Sequence, residues 1–423
     1  MPVRRLHMGM GSDRTAAVKQ RHERGNALPD RSSAIHRIKQ EQAEDATMDE
    51  SDILAAVERQ FIGLPSPTAP RVGAGGHPCQ GLYWTPKGKR PKVALIATHY
   101  NVDFAEHYAA PYFAARGYGF LGWNTRYRGA EDMFLLEHAL IDIGVGMRWL
   151  REQAGVETIV VLGNSGGGSL MGAYQAEAIS PTIHTLLKGP GHEALSSLPK
   201  GDLYISLNAH QGRPEVLTDW MDASVIDEND PVATDESLNP FNPDNGPPFS
   251  DEFIARYRAA QRARNQRITD WAKVELKRLN DGGVPDRLFP LFRLWGDLRC
   301  IDPAIDPSDR ITPLCYRGDP KIANRYPSIG RANMLKTWLS MWSLETSNCQ
   351  GKPHLAKFDL PALVVQGMAD TGVFPSDARL IHGFIGSKDK TLELIQGAHY
   401  FEDSRKVRDH AMDLMDGWIK ARV

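Results

Sequence analysis

Short runs of consecutive apolar and β-branched residues recur along this chain, and segments of helical periodicity separate them. Val93–Thr98, Gly119–Asn124, Thr158–Leu162, Leu203–Leu207, Leu363–Gly367 and Thr391–Ile395 are runs of this kind. They are too short for helices and mostly apolar on both faces, which suits strands of a parallel sheet covered on both sides. Between or after them, Ala105–Ala115, Phe134–Gln153, Gly168–Ala178 and Val407–Ala421 place apolar residues at helical spacing. Alternating strands and helices predict right-handed βαβ units and an α/β domain. Gly81–Thr85 reads as an antiparallel strand at the edge of that sheet, and Asp52–Phe61 as a short amphipathic helix before it.

The alternation breaks between Leu207 and Leu363. A simple crossover would need a few tens of residues; here Ala223–Lys357 intervenes. It opens with a loop rich in Asn, Asp, Gly and Pro from Asp227 to Pro248. Ser250 is then placed to cap a helix running to about Leu279, with Asp251 and Glu252 complementing the dipole of its first turn. Phe289, Phe292 and Trp295 follow at helical spacing, and Arg331–Leu344 reads as a further helix carrying Trp338 and Trp342 one turn apart. The expected organisation is a tail over 1–47, a core formed by 48–222 and 358–423, and an inserted helical lid over 223–357.

The chemistry concentrates where strands end. Thr158–Leu162 runs directly into Gly163-Asn164-Ser165-Gly166-Gly167, a G-x-S-x-G pattern between a strand and a helix. A serine on so sharp a turn needs small neighbours, and its Oγ then projects above the sheet beside a helix N-terminus that favours negative charge. A serine hydroxyl needs a base and an orienting acid. Asp370 follows the strand Leu363–Gly367 and His399 follows Thr391–Ile395, both at the edge where open α/β sheets bind ligands. Asp219 and Asp222, after the preceding strand, are the alternative carboxylates. His99 and His107 read as loop-orienting residues.

Together these residues, in the chain order Ser165, Asp370, His399, resemble the α/β-hydrolase family over roughly residues 90–225 and 355–423. The resemblance implies the α/β-hydrolase fold, with Ser165 as nucleophile, His399 as base and Asp370 as acid. It also implies an oxyanion hole made by the backbone N–H of Gly166 and by the loop after Val93–Thr98. That loop reads His99-Tyr100-Asn101, with tyrosine where the family commonly has glycine. Two arrangements follow: backbone N–H groups of Tyr100 or Asn101 serve, or the Tyr100 hydroxyl donates, as a tyrosine does in cocaine-esterase-like relatives. The lid aromatics, Trp338 and Trp342 above all, are expected to line an apolar pocket.

Composition narrows the function. The formal net charge is −2, which gives no reason to expect a nucleic-acid partner. No stretch is long and apolar enough to span a bilayer. Cys79, Cys300, Cys315 and Cys349 are scattered without metal-ligand spacing and read as free thiols of a reducing, cytoplasmic compartment. Residues 1–47 lack the apolar core of a secretory signal, so they read as a disordered tail or as an extension ahead of a start at Met48. No cofactor or metal is called for, since Gly166–Gly168 do not form G-x-G-x-x-G. The expected partner is a small molecule with an apolar group; a homo-oligomer is left open. The expected activity is cleavage of a carboxylic ester or lactone through an acyl-enzyme. The alternatives are carbon–carbon cleavage of a diketone by the same triad and a hydrolase-fold binding protein whose triad is idle. Epoxide hydrolases and dehalogenases of this kind carry aspartate at the position of Ser165.

Overall fold

The computed structural model describes residues 50–423; the tail expected over 1–47 and the start at Met48 lie outside the described residues. An eight-stranded sheet runs through this part of the chain, in the order β1-β2-β4-β3-β5-β6-β9-β10. Its strands are β1 (Val57–Leu64), β2 (Cys79–Pro86), β3 (Val93–Ala97), β4 (Gly119–Asn124), β5 (Thr158–Ser165), β6 (Leu203–Ala209), β9 (Ala362–Gly367) and β10 (Lys390–Ile395). β1 and β2 pair antiparallel, as do β2 and β4, and every other pairing is parallel. This is the α/β-hydrolase architecture that the sequence pattern predicts. The separate pair β7 (Leu288–Pro290) and β8 (Ala332–Met334) lies within the segment between β6 and β9.

The central strands form where both faces are apolar. Ile96, Val161 and Val364 point into one buried cluster with the helices Leu136–Glu152 and Gly167–Ile179. Leu95, Val160, Leu162, Ile205 and Leu363 point into the other, with Ala110–Ala115 and Arg405–Lys420. Each face is removed from water by helices, at roughly 25 cal/mol per Å² of apolar surface buried.

The structure departs from expectation at the sheet's edge. The helix expected over Asp52–Phe61 ends at Ala56, and Val57–Leu64 continues as β1. This edge strand pairs on one side only, so main-chain hydrogen bonds to β2 hold it and Glu58 to Phe61 stay exposed. Its side chains therefore carry no strand periodicity.

The segment Ala223–Lys357 packs within the same compact unit, Thr47–Val423, as the sheet. Its long helix is present as Asp251–Asp281, capped by Ser250, whose Oγ accepts from the Phe253 N–H at 3.1 Å. The helix expected around Phe289, Phe292 and Trp295 is absent: Phe289 lies in β7, and irregular chain follows. The helix expected over Arg331–Leu344 begins only at Leu335, after β8, and ends at Trp342. The insertion is thus one long helix with several short helical segments, loops and a small β-pair. Among the described residues no helix is long and apolar enough to cross a membrane. The four cysteines are buried free thiols.

Candidate active site

β5 ends at Ser165, whose φ of +55° is left-handed, and the helix Gly167–Ile179 starts two residues later. A non-glycine residue held there is strained and persists because its surroundings over-determine it. Glycine lets strand and helix close on each other: a Cβ on Gly163 would lie 2.7 Å from the Gly168 Cα. The Ser165 carbonyl accepts from the His210 N–H at 3.1 Å, which ties the turn to the end of β6.

Asp370 and His399 lie in the loops after β9 and β10. The Asp370 Oδ2 accepts from His399 Nδ1 at 2.7 Å, while its Oδ1 accepts from the N–H groups of Gly372 and Val373 at 2.8 and 3.0 Å. With its carboxylate held on both oxygens, Asp370 keeps the proton of a neutral His399 ring on Nδ1. The opposite nitrogen, Nε2, is buried without a hydrogen-bond partner among the described residues. The aromatic rings of Tyr316 and Tyr400 meet the imidazole edge-on. Asn208, at the end of β6 with φ +41°, joins the two loops: its Nδ2 donates to the His399 carbonyl at 2.8 Å and its Oδ1 accepts from the Gly367 N–H at 2.7 Å. Asp219 and Asp222 are engaged elsewhere, Asp219 with Arg258 and Arg299, Asp222 with Arg293.

A cavity of about 360 Å³ opens over this turn, with Ser165, His399, Asn101, His99, His210, Arg213 and Trp220 among its walls. Tyr316, Arg317, Ser328, Ile329, Arg331 and Ala332 close it from the insertion. Several expectations need correction here. Tyr100 does not line the cavity: it is fully buried, and its hydroxyl hydrogen-bonds Ser169 Oγ at 3.0 Å, so it does not serve as a side-chain donor to substrate. The Asn101 N–H points at His99 Nδ1, 3.4 Å away. Trp338 and Trp342 are not wall residues either. Trp338 is buried against Phe289 and donates to Thr269 Oγ1 at 3.1 Å, and Trp342 lies beneath the Arg213 guanidinium. The aromatic walls are Phe104, Trp220, Tyr316 and Tyr400, and with Glu131, Asp132 and three arginines beside them the cavity is mixed in character rather than apolar.

His210 and Arg213 are the site residues that sequence reasoning missed. Their signal was position: both come just past the C-terminal end of a predicted strand, as Asp370 and His399 do. Arg213 is 1% exposed and donates from Nη2 to Glu131 Oε1 at 2.8 Å, and the Gly330 N–H donates to Glu131 Oε2 at 2.9 Å. Burial raises the Glu131 pKa above the usual carboxylate value against the pull of Arg213. Burial, reinforced by the Arg213 charge, holds the pKa values of His99 and His210 well below that of an ordinary histidine, so both rings are neutral near pH 7. His107 stays a loop residue, joined through Nε2 to Asn164 Oδ1 at 3.0 Å and with burial lowering its pKa to about 4.

No family model and no curated protein matches this chain. Solved structures do. The α/β hydrolase GrgF from a Penicillium species is similar at 12% identity, covering 85% of this chain and 97% of that one, with a TM-score of 0.45. A monoacylglycerol lipase from Paleococcus ferrophilus is similar at 14% identity, covering 87% and 99%, with a TM-score of 0.41. A Pyrococcus furiosus esterase is similar at 10% identity, covering 89% and 95%, with a TM-score of 0.43.

Proposed function

We propose that this protein is a serine hydrolase that cleaves a carboxylic ester or lactone through an acyl-enzyme. The observation that carries this reading is the pairing of a strained Ser165 with a buried, unpartnered His399 Nε2 in one cavity, the far side of that imidazole being held by Asp370. An unpaired buried ring nitrogen is costly, and a hydroxyl proton is what it lacks.

In the proposed cycle His399 takes the Ser165 proton as Oγ attacks the carbonyl carbon. The carbonyl electron pair moves onto oxygen, beside the N-terminus of the helix Gly167–Ile179 and the Gly166 N–H. Collapse of the adduct expels the alcohol, which takes the proton from His399. Water, deprotonated by the same ring, then attacks the acyl carbon; the bond to Ser165 Oγ breaks, Oγ takes the proton back from His399, and the acid leaves. Asp370 fixes the tautomer and balances the imidazolium. The segment from Tyr316 to Ala332 acts as the lid, and a cavity of about 360 Å³ suits a compact substrate.

The test is a fluorophosphonate probe followed by a substrate panel. Covalent labelling at Ser165, turnover of short p-nitrophenyl esters, and loss of both in Ser165→Ala are expected. A wild-type protein that neither labels nor turns over any ester would be an idle binding protein. Turnover of a diketone with esters untouched would move the assignment to carbon–carbon cleavage.

A further inference from the structure

The elbow residue Gly166 has no side chain, and two side chains from elsewhere occupy the space in front of it. A Cβ built there would lie 2.5 Å from His99 Nε2 and 2.8 Å from Arg213 Nη1. Gly166 directly follows Ser165 and is the N-cap of the helix Gly167–Ile179, where backbone donors lack intrahelical partners. Two side-chain donors, one from the loop after β3 and one from the first residue of the helix Arg213–Trp220, therefore stand against the residue that follows the nucleophile.

The two side chains are built to donate. His99 Nδ1 accepts from the N–H groups of Asn101 and Val102 at 3.4 and 3.3 Å, which leaves the ring proton on Nε2, the atom that faces Gly166. The ring is buried, and the Arg213 charge beside it opposes its protonation, so it stays a neutral donor. Arg213 is clamped in orientation: its guanidinium carbon sits 4.5 Å from the centre of the Tyr100 ring and 4.6 Å from that of Trp342. Nη2 is committed to Glu131, while Nε is buried without a hydrogen-bond partner among the described residues. Glu131 is itself held by the Gly330 N–H, so one edge of the guanidinium is neutralised and fixed while Nη1 stands at the elbow. A fixed cation in a water-poor site lowers the energy of an anion that forms next to it and costs no reorganisation when it forms.

We propose that His99 Nε2–H and Arg213 Nη1–H form, with the Gly166 N–H, an anion-binding notch that takes the carbonyl oxygen of the substrate as it becomes the oxyanion. This rests on the serine-hydrolase reading and adds two catalytic residues to it. When Ser165 Oγ bonds to the carbonyl carbon and its proton passes to His399, the former carbonyl oxygen gains a full negative charge in the notch. When the alcohol leaves, the charge returns to the C=O bond. The arrangement also accounts for Tyr100 at the position where glycine is common in hydrolases: its ring is one face of the clamp on Arg213.

The experiment compares catalysis with the binding of an alkylboronic acid, which forms a tetrahedral anion on a nucleophilic serine. The variants are His99→Phe, Arg213→Lys, and Arg213→Gln combined with Glu131→Gln, so that no carboxylate is left buried alone. On p-nitrophenyl butyrate the double variant should lose on the order of 10²–10³ in kcat with KM within a few-fold, and the boronate Ki should rise by a similar factor. His99→Phe should lose on the order of 10-fold or more in both, with Arg213→Lys intermediate. Should the double variant fail to fold, His99→Phe and Arg213→Lys carry the same comparison. An unchanged kcat and boronate Ki in folded variants would overturn the proposal and leave Arg213 a brace for Glu131. A loss confined to the KM of a carboxylate-bearing ester such as p-nitrophenyl hemisuccinate would overturn it too, making Arg213 a substrate-anion site. Failure of the hydrolase reading looks different: the wild type itself then neither cleaves esters nor binds the boronate.

Discussion

The sheet and the insertion are held together by different physics. Around β3, β5, β6 and β9, apolar side chains fill both faces, and helices exclude water from them. In the insertion, buried arginines do comparable structural work. Arg264, fully buried, donates to Glu228 and to the carbonyls of Asp222 and Phe292. Arg299 reaches Asp297, Asp219 and Asp377 at 2.8, 3.1 and 3.2 Å, which ties the insertion to the helix Arg213–Trp220 after β6 and to the helix after Asp370. Arg310 donates to the carbonyls of Arg299, Asp302 and Ile305. Apolar burial is non-directional and tolerates regular strands. A network of directed hydrogen bonds bends the chain to its donors, and Arg293 and Asp306 both sit at φ +56°.

The contrast predicts where damage to chemistry and damage to stability separate. The proposed chemistry stands on the ends of sheet strands, so the largest effect is expected there. Ser165→Ala should lower kcat by as much as ~10⁶, and Asp370→Asn by about 10⁴, with melting temperatures near wild type. A folded Asp370→Asn protein of full activity would remove that carboxylate from the mechanism.

The next effect belongs to the insertion. Arg299→Met removes one cation from three carboxylates, the fully buried Asp297 among them; Asp297 and Asp219 keep Arg258. Truncating one partner of such a pair costs about 3–5 kcal/mol. Urea unfolding should show it as a lower midpoint. A loss under 1 kcal/mol would mean that water or nearby arginines replace Arg299, and that the insertion relies on apolar contacts as the sheet does.

Trp338 sharpens the same comparison. It is fully buried and does not line the cavity, so Trp338→Ala should destabilise by about 3–5 kcal/mol. It should reduce activity on short and bulky esters by equal factors. A selective loss on the bulky ester would restore it to the pocket.

The smallest effect is a pH slope. The folded pKa of His107, about 4, lies below its unfolded value near 6.5, so the unfolded chain binds more protons between those limits. Its contribution to stability is complete above pH 6.5 and falls as pH drops toward 4, by about 3 kcal/mol at most. His99 and His210 act in the same direction. Thermal unfolding of His107→Gln should therefore be less steep in pH across this window than that of the wild type; an identical slope would assign the acid sensitivity to other groups.

How much could be read from the sequence follows the same division. The inner strands of the parallel sheet were visible because a strand buried on both faces is apolar at nearly every position, and the long helix Asp251–Asp281 because its cap and first-turn acids are local signals. β1 escaped because an edge strand needs only main-chain pairing. The aromatic spacing of Phe289, Phe292 and Trp295 suggested a helix, but Phe289 meets Trp271 from β7 and Trp295 meets Trp220 from irregular chain. Within the candidate site, Ser165 and Gly166 were legible from one turn motif, and Asp370 and His399 from their places after strands. Asp370 was preferred over Asp219 and Asp222 from chain order, though all three follow strands, and in the fold it is Asp370 that reaches His399.

The sequence by itself determined the alternation of strands and helices, the sharp turn that lifts Ser165, and the placing of a carboxylate and an imidazole at the same edge of the sheet. These depend on local sterics, periodicity and chain order, which a linear pattern records. Only the tertiary structure decided that Tyr100 faces inward to Ser169, that Trp338 and Trp342 lie behind the wall, and that Arg213 comes to stand before Gly166. Which atoms meet across such distances in the chain depends on the direction of each side chain and on charges paired through space. Neither leaves a period in the sequence.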